Sequence, residues 1–182
     1  MNILENDVER ILISKEQIEE IEDRMAAQIS EDYKDKNLLL VSVLKGSIAF
    51  MSDLMRNITV PCKIDFMALS SYGSGSESTG RIRVNKDLDI YPEGYDILII
   101  EDILDSGRTL EYIINNMLIT KNAASVKICT LLDKPARREA DISPDYVGFV
   151  IPDEFVVGFG LDYAERYRNL PYIGVLKSEV YS

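Results

Sequence analysis

Ile97–Leu110 reads ILIIEDILDSGRTL, and the fold turns on this stretch. Asp96–Glu101 is predicted as a buried strand, because its apolar run is short, β-branched and bounded by charge. It delivers two carboxylates, Glu101 and Asp102, to its C-terminal edge. Asp105, Ser106, Gly107, Arg108 and Thr109 follow after two apolar residues, and a helix is predicted over Arg108–Ile119. The loop's N–H groups and the hydroxyls of Ser106 and Thr109 then face one concavity. Such a strand–loop–helix corner is a ready phosphate site. The carboxylates beside it can accept hydrogen bonds from a ribose diol. Taken singly, an Asp-Ser-Gly turn caps a helix and a Glu-Asp pair faces water. Their conjunction behind a buried strand is what points to a ligand.

The chain on either side repeats the alternation. A short strand is expected at Ile11–Ile13. Ser14 followed by Gln17 is a capping-box pattern, and Ile18, Ile21, Met25 and Ile29 recur at helical spacing, so a helix is predicted over Lys15–Tyr33. Leu38–Leu44 (LLLVSVL) is a second buried strand. Lys45, Gly46 and Ser47 turn the chain into a helix over Ile48–Arg56. Strands are predicted at Lys63–Ser70, Arg81–Asn85, Ser125–Leu132, Tyr146–Ile151, Phe155–Val157 and Tyr172–Leu176, and the Gly/Ser-rich run Ser71–Gly80 is the most loop-like stretch. Strands alternating with helices imply an α/β fold, a twisted, mainly parallel sheet flanked by helices. In such sheets a ligand sits outside the carboxyl ends of the strands.

Composition narrows the function. The 182 residues carry a formal net charge of −11, and a phosphate backbone needs a basic face, so nucleic acid is not expected as a partner. An anionic small molecule needs local donors or a divalent metal bridging carboxylates to phosphates. The chain has no histidine, which removes His-based triads and His-ligated zinc. Any general base must therefore be a carboxylate, Lys, Tyr or Cys. Cys62 and Cys129 lie in apolar stretches without metal-type spacing and read as reduced, buried thiols. The longest apolar run, Leu38–Leu44, is far short of a membrane span. With an acidic N-terminal stretch lacking a signal-peptide core, a cytoplasmic location is the expectation.

The Ile97–Leu110 segment resembles the phosphoribosyl-pyrophosphate (PRPP) motif of type I phosphoribosyltransferases. LKGS at Leu44–Ser47, SSYGSGSESTG at Ser70–Gly80, LLDKPARR at Leu131–Arg138 and PDEFVVGFGLDYAERYRNLPYIGVL at Pro152–Leu176 follow in order. Together, over about Ile11 to Leu176, they are similar to the bacterial hypoxanthine-guanine phosphoribosyltransferase family. The resemblance implies one type I phosphoribosyltransferase domain, with a core over roughly 35–150 and a small hood lobe from roughly 1–14 and 151–182. It implies Mg²⁺ as cofactor, and PRPP, hypoxanthine and guanine as substrates of a purine-salvage transferase that releases pyrophosphate. A homodimer or homotetramer is implied as well.

Residue by residue, the resemblance puts Glu101 and Asp102 on the ribose hydroxyls. Asp105, Ser106, Gly107, Arg108 and Thr109 fall around the 5′-phosphate, with Ile103 and Leu104 in the same nucleotide-binding segment. It gives Asp105 the general-base role, which the absence of histidine independently favours. Lys45 and Gly46 would bind pyrophosphate behind a cis peptide at Leu44–Lys45, and Arg168 would join them. Ser71 and Tyr72 would open a lid. Lys134 would donate to the purine 6-oxygen, Phe155 would stack on the base, and the Val156 backbone and Asp162 would flank it. Glu101, Asp102 and Asp162 are the implied magnesium carboxylates. Two residues depart from the family pattern: Phe159 stands where Tyr is frequent, and Ser47 where some members have a second Gly. A transferase preferring xanthine is the nearest alternative. A regulatory nucleic-acid-binding protein on the same fold is the alternative from another class, and it conflicts with the acidic charge.

Overall fold

The structure, a computed structural model, describes residues 3–71 and 82–181. Its central sheet has six strands. They are β2 (Leu38–Leu44), β3 (Cys62–Ser71), β4 (Ile82–Lys86), β5 (Asp96–Leu104), β6 (Ser125–Asp133) and β7 (Tyr146–Val150), in the order β4-β3-β2-β5-β6-β7. Every neighbouring pair is parallel except β3 with β4. A smaller antiparallel sheet joins β1 (Val8–Ile13), β9 (Ile173–Leu176) and β8 (Val156–Val157), in that order.

Alternation along the central strands explains why both faces are covered. Leu38 and Leu40 of β2 and Leu98 and Ile100 of β5 pack with Ile18, Met25 and Ile29 of α1 (Lys15–Asp32) and with Phe50, Met51 and Leu54 of α2 (Ile48–Asn57). Leu39, Val41, Ile97 and Ile99 face the other way, onto Leu110 and Ile113 of α3 (Arg108–Ile113) and the turn beyond it. Strands buried on both faces read as unbroken apolar runs, and this is the chemistry of LLLVSVL and ILII. The small sheet adds Ile13, Val156, Ile173 and Val175 to the α1–α2 side of the core.

The predicted elements are present with shifted ends. The Ser14 capping box forms, its hydroxyl accepting from Gln17 N while the Gln17 side chain accepts from Ser14 N. Four differences have physical causes. β5 does not stop at Glu101 but runs through Leu104, because Ile103 and Leu104 continue the ladder opposite Leu132 and Asp133. The helix expected to reach Ile119 is α-helical only to Ile113. Ile114–Leu118 is a π-turn in which Ile119 N donates to Ile114 O, and side chains of Asn116 and Thr120 take carbonyls of Tyr112 and Asn116. Phe155 and Tyr172, expected within strands, lie just ahead of β8 and β9. A short helix, α4 (Ser178–Tyr181), and 3-10 turns at Ile3–Asp7 and Pro135–Arg137 carried no periodic signal.

The topology itself makes a crevice. The chain leaves β2 toward β3 on one side and leaves β5 toward β6 on the other, so the β2–β5 boundary is the switch point of the sheet. The β2–β5 pairing ends at Ser42 opposite Ile100. β2 stays with β3 as far as Leu44, and β5 stays with β6 as far as Leu104. The two halves part there, with Lys45 and Gly46 beyond one lip and Glu101–Asp105 along the other.

Candidate active site

Burial dominates the electrostatics of this crevice. Glu101 Oε2 is shielded from solvent and has no hydrogen-bond partner among the described residues. Its carboxyl is held well above the usual carboxylate range, chiefly by burial and further by the Asp102 charge. Asp102 is pushed up to about 6 by burial, against the pull of the Ile103 N–H on its carboxylate. Asp105 Oδ1 is likewise shielded and unpartnered. Unpaired carboxylate oxygens this deep are costly to keep, and two lie within five residues of one chain segment.

Glycines bring the surrounding loops into contact. The Leu44–Lys45 peptide is cis, as the resemblance implies. A Cβ on Gly46 would lie 1.8 Å from Asp102 Oδ2, and a Cβ on Gly160 would lie 1.9 Å from Gly46 O. Gly160 also has φ +99°, where L side chains are strained. Ser47, one of the departures from the family pattern, is fully buried. Its hydroxyl donates to Val43 O at 2.6 Å and lies 2.7 Å from the Ser42 hydroxyl, which fixes the turn after β2.

Arg168 reaches the same place from the far end of the chain. It donates to Gly160 O at 2.7 Å and pairs with Asp162 at 2.9 Å. Lys45 Nζ pairs with Glu165 at 3.0 Å. The AERYR run at Ala164–Arg168, which holds Glu165 and Arg168, is not helical. It is a turn closed by Tyr163 and Arg166, with Ala164, Glu165 and Tyr167 at positive φ.

The loop after β5 is braced from behind. Arg138, a residue the sequence reading left without a role, donates to Leu104 O at 3.2 Å and Asp105 O at 2.9 Å, and its guanidinium pairs closely with Asp133. Glu139 N and Ala140 N both donate to Ser106 O. The carbonyls of the loop are thus engaged on one side, while the first N–H groups of α3 have no acceptor within the helix. Gly107 enters α3 at φ +80°. Arg108 pairs with Glu139 at the surface, and Leu104 buries its side chain in the α3 side of the core.

Asp105, Lys134, Phe155, Val156 and Asp162 line one cavity of about 180 Å³, together with Ile103, Arg137 and Leu161. Lys134 is buried with its ammonium 3.3 Å from Asp153. Leu161 and Arg137 were not singled out in the sequence, although both lie inside the quoted motifs. A larger cleft of about 650 Å³, between α1 and the chain after α2, contains none of these residues. Ser71 closes β3, while Tyr72 and the expected lid fall outside the described residues.

Residues 9–164 match the family model for the phosphoribosyl transferase domain. The chain belongs to the phosphoribosyltransferase family. It is 52% identical to the hypoxanthine-guanine phosphoribosyltransferase of Bacillus subtilis, over 98% of this chain and 99% of that one. It is 51% identical, over 98% of its length, to the bifunctional protein TilS/HprT of Listeria monocytogenes, of which it spans 28%. The crystal structure of a hypoxanthine phosphoribosyltransferase from Staphylococcus aureus superposes with a TM-score of 0.95 at 52% identity, covering 100% of this chain and 98% of that one. Among phosphoribosyltransferases, then, the chain lies on the hypoxanthine-guanine branch.

Two outcomes follow for this phosphoribosyltransferase. A carboxyl whose folded pKa is raised binds a proton more readily folded than unfolded, so stability declines as pH rises from the unfolded to the folded pKa. Glu101→Gln removes that titration. It should raise unfolding stability at pH 8 by about 1–3 kcal/mol, with the gain shrinking toward pH 4, in urea melts across pH. Arg138→Met should leave the Leu104 and Asp105 carbonyls unbraced. Loss of two charge-assisted hydrogen bonds implies a drop in catalytic efficiency toward the ribose substrate of at least ~10-fold, read by initial rates.

Proposed function

We propose that this chain transfers the 5-phosphoribosyl group of PRPP to hypoxanthine and to guanine, giving IMP and GMP with release of pyrophosphate, a purine-salvage reaction. The observation that carries this reading is the single cavity lined by Asp105, Lys134, Phe155, Val156 and Asp162 at the end of β5. It lies beside two buried carboxylates at the switch point of the sheet.

The division of labour follows from charge and hydrogen-bond type. Glu101 and Asp102 have the acceptor oxygens a ribose diol requires, and donation from the diol would satisfy the orphaned Glu101 oxygen. The loop Asp105–Thr109 would hold the 5′-phosphate with backbone N–H groups and hydroxyls. The reacting C1 loses its bond to the pyrophosphate oxygen as it gains one to the purine nitrogen. Positive charge builds on the ribose and negative charge on the leaving group. The buried carboxylates suit the first, while Lys45, the Gly46 backbone and Arg168 suit the second. Asp105, whose Oδ1 is unpartnered beside the cavity, would take the proton from the purine nitrogen. Lys134 can only donate, so it matches the acceptor at position 6 of hypoxanthine and guanine and opposes the amino group of adenine.

The donor set fits magnesium. Its groups are hard carboxylate oxygens, one of them orphaned on Glu101, and magnesium takes few protein ligands while keeping waters and substrate phosphates. Among the described residues Glu101, Asp102 and Asp162 do not come together as one three-carboxylate metal site, and Asp162 is paired with Arg168. Glu101 and Asp102 would therefore hold the ion together with substrate oxygens, and it would supply charge neutralisation at the pyrophosphate.

Incubating the protein with PRPP, Mg²⁺ and each of hypoxanthine, guanine, xanthine and adenine tests the assignment. IMP and GMP should form; conversion of neither hypoxanthine nor guanine would overturn it, and preference for xanthine would move it to the neighbouring specificity. Asp105→Asn should lower kcat by about 10²–10⁴-fold, the usual worth of a positioned general base. Lys134→Gln, which can both donate and accept, should cut the preference for hypoxanthine over adenine by about 5–150-fold, as judged by competition between the two bases.

A further inference from the structure

Phe155 sits in a three-ring cluster that the assignment above does not use. Its ring stacks on Tyr181, with centroids 4.8 Å apart and planes at 22°. Tyr163 meets the edge of Phe155 at 5.6 Å and 89° and lies 6.4 Å from Tyr181 at 67°. Phe155 lines the cavity it shares with Asp105 and Lys134, and Tyr181 does not. Tyr181 instead lines a neighbouring cavity of about 300 Å³, into which Phe155, Lys134 and Arg137 also project. Phe155, Lys134 and Arg137 border both cavities, whereas Tyr181 borders only the second.

The Phe155 ring needs support. Phe155 is 38% exposed and precedes the two-residue strand β8, so its backbone is tied in this region by Leu176 N donating to Phe155 O at 2.9 Å. A half-exposed phenylalanine otherwise retains rotamer freedom that a stacked ligand would have to remove on binding. Stacking on a second ring removes it in advance, and preorganisation of this kind appears as affinity. α4, which carries Tyr181, is itself anchored. Lys177 N donates to Asp7 O at 3.0 Å, and Lys177 Nζ donates to Asn6 O at 2.6 Å.

We propose that Tyr181 is a positioning residue for the purine, acting through Phe155: it backs the stacking ring and, with Tyr163 at the edge, fixes the plane on which the base lies. This rests on the assignment of Phe155 as the purine-stacking residue. Because Tyr181 would act through its ring stacked on Phe155, its influence should fall on base binding and depend on its ring rather than its hydroxyl.

Initial-rate kinetics on wild type, Tyr181→Phe, Tyr181→Leu and Tyr181→Ala separate the possibilities, with thermal unfolding run alongside. Tyr181→Ala should raise KM for hypoxanthine about 3–10-fold, the range of an aromatic pair, with KM for PRPP and kcat changed less than about twofold. Tyr181→Phe should behave as wild type. Tyr181→Leu, which keeps apolar volume without a ring, should lie near Tyr181→Ala. An unchanged hypoxanthine KM, parallel increases for both substrates, or failure of Tyr181→Phe to match wild type overturns the proposal. Failure of the wild type to use either 6-oxopurine overturns the underlying assignment instead, so the two failures are distinct.

Discussion

The structure depends on a pair of acidic side chains set inside a packed strand, Asp102 buried and Glu101 with one carboxylate oxygen shielded from solvent. Glu101 and Asp102 lie inside β5, not beyond its end, and burial raises both carboxyls. A chain that only needed to fold would place valine or isoleucine there. The cost is tolerated because β5 is held on both faces by packed apolar layers and along its full length by β6. The rigidity of the central strand is thus the condition for keeping unsatisfied carboxylates at the mouth of the crevice.

The rest of the site is arranged around that constraint by close backbone approach. Gly46 lets the turn after β2 come against Asp102, and Gly160 lets the turn near Arg168 come against Gly46. Three segments remote in sequence therefore share one small volume, and neither Gly46 nor Gly160 could carry a Cβ at its contact. Arg138 does the corresponding work behind the Asp105–Thr109 loop by taking up its carbonyls. Charge provides the chemistry of the site, while glycine and a partly buried guanidinium provide its geometry.

This separation explains what could be read from the sequence. Alternation of apolar runs with amphipathic stretches was enough for the α/β order, because burial on both faces leaves an unmistakable pattern in LLLVSVL and ILII. The site residues with distinctive chemistry were legible too: the acid pair, Asp105, Lys134 and the LDYAERYR run. The end of β5 was not, because acidic residues read as strand terminators, and only pairing to β6 overrides them. Arg138 was not, since an arginine bound to main-chain carbonyls of a distant loop looks like any surface arginine. α4 was not, because four residues carry no period. Tyr181 was missed for the same reason, and its partnership with Phe155 exists only in three dimensions.

The same logic bears on how a site of this kind can tune specificity. In the proposed assignment Lys134, buried just after β6, would distinguish the edge of a base by donor and acceptor, a discrimination set by an element that cannot move far. Phe155, in the same assignment, would recognise only a flat apolar face, which every purine has, so stacking would add affinity without choice. On that assignment selectivity would be carried by the rigid central sheet and general affinity by the small antiparallel sheet and the aromatic residues around it. Changes in the small sheet should then move all purines together, whereas changes at the end of β6 should move them apart. An enzyme built this way can alter how tightly it holds bases without altering which base it accepts, because the two properties rest on different layers of the fold.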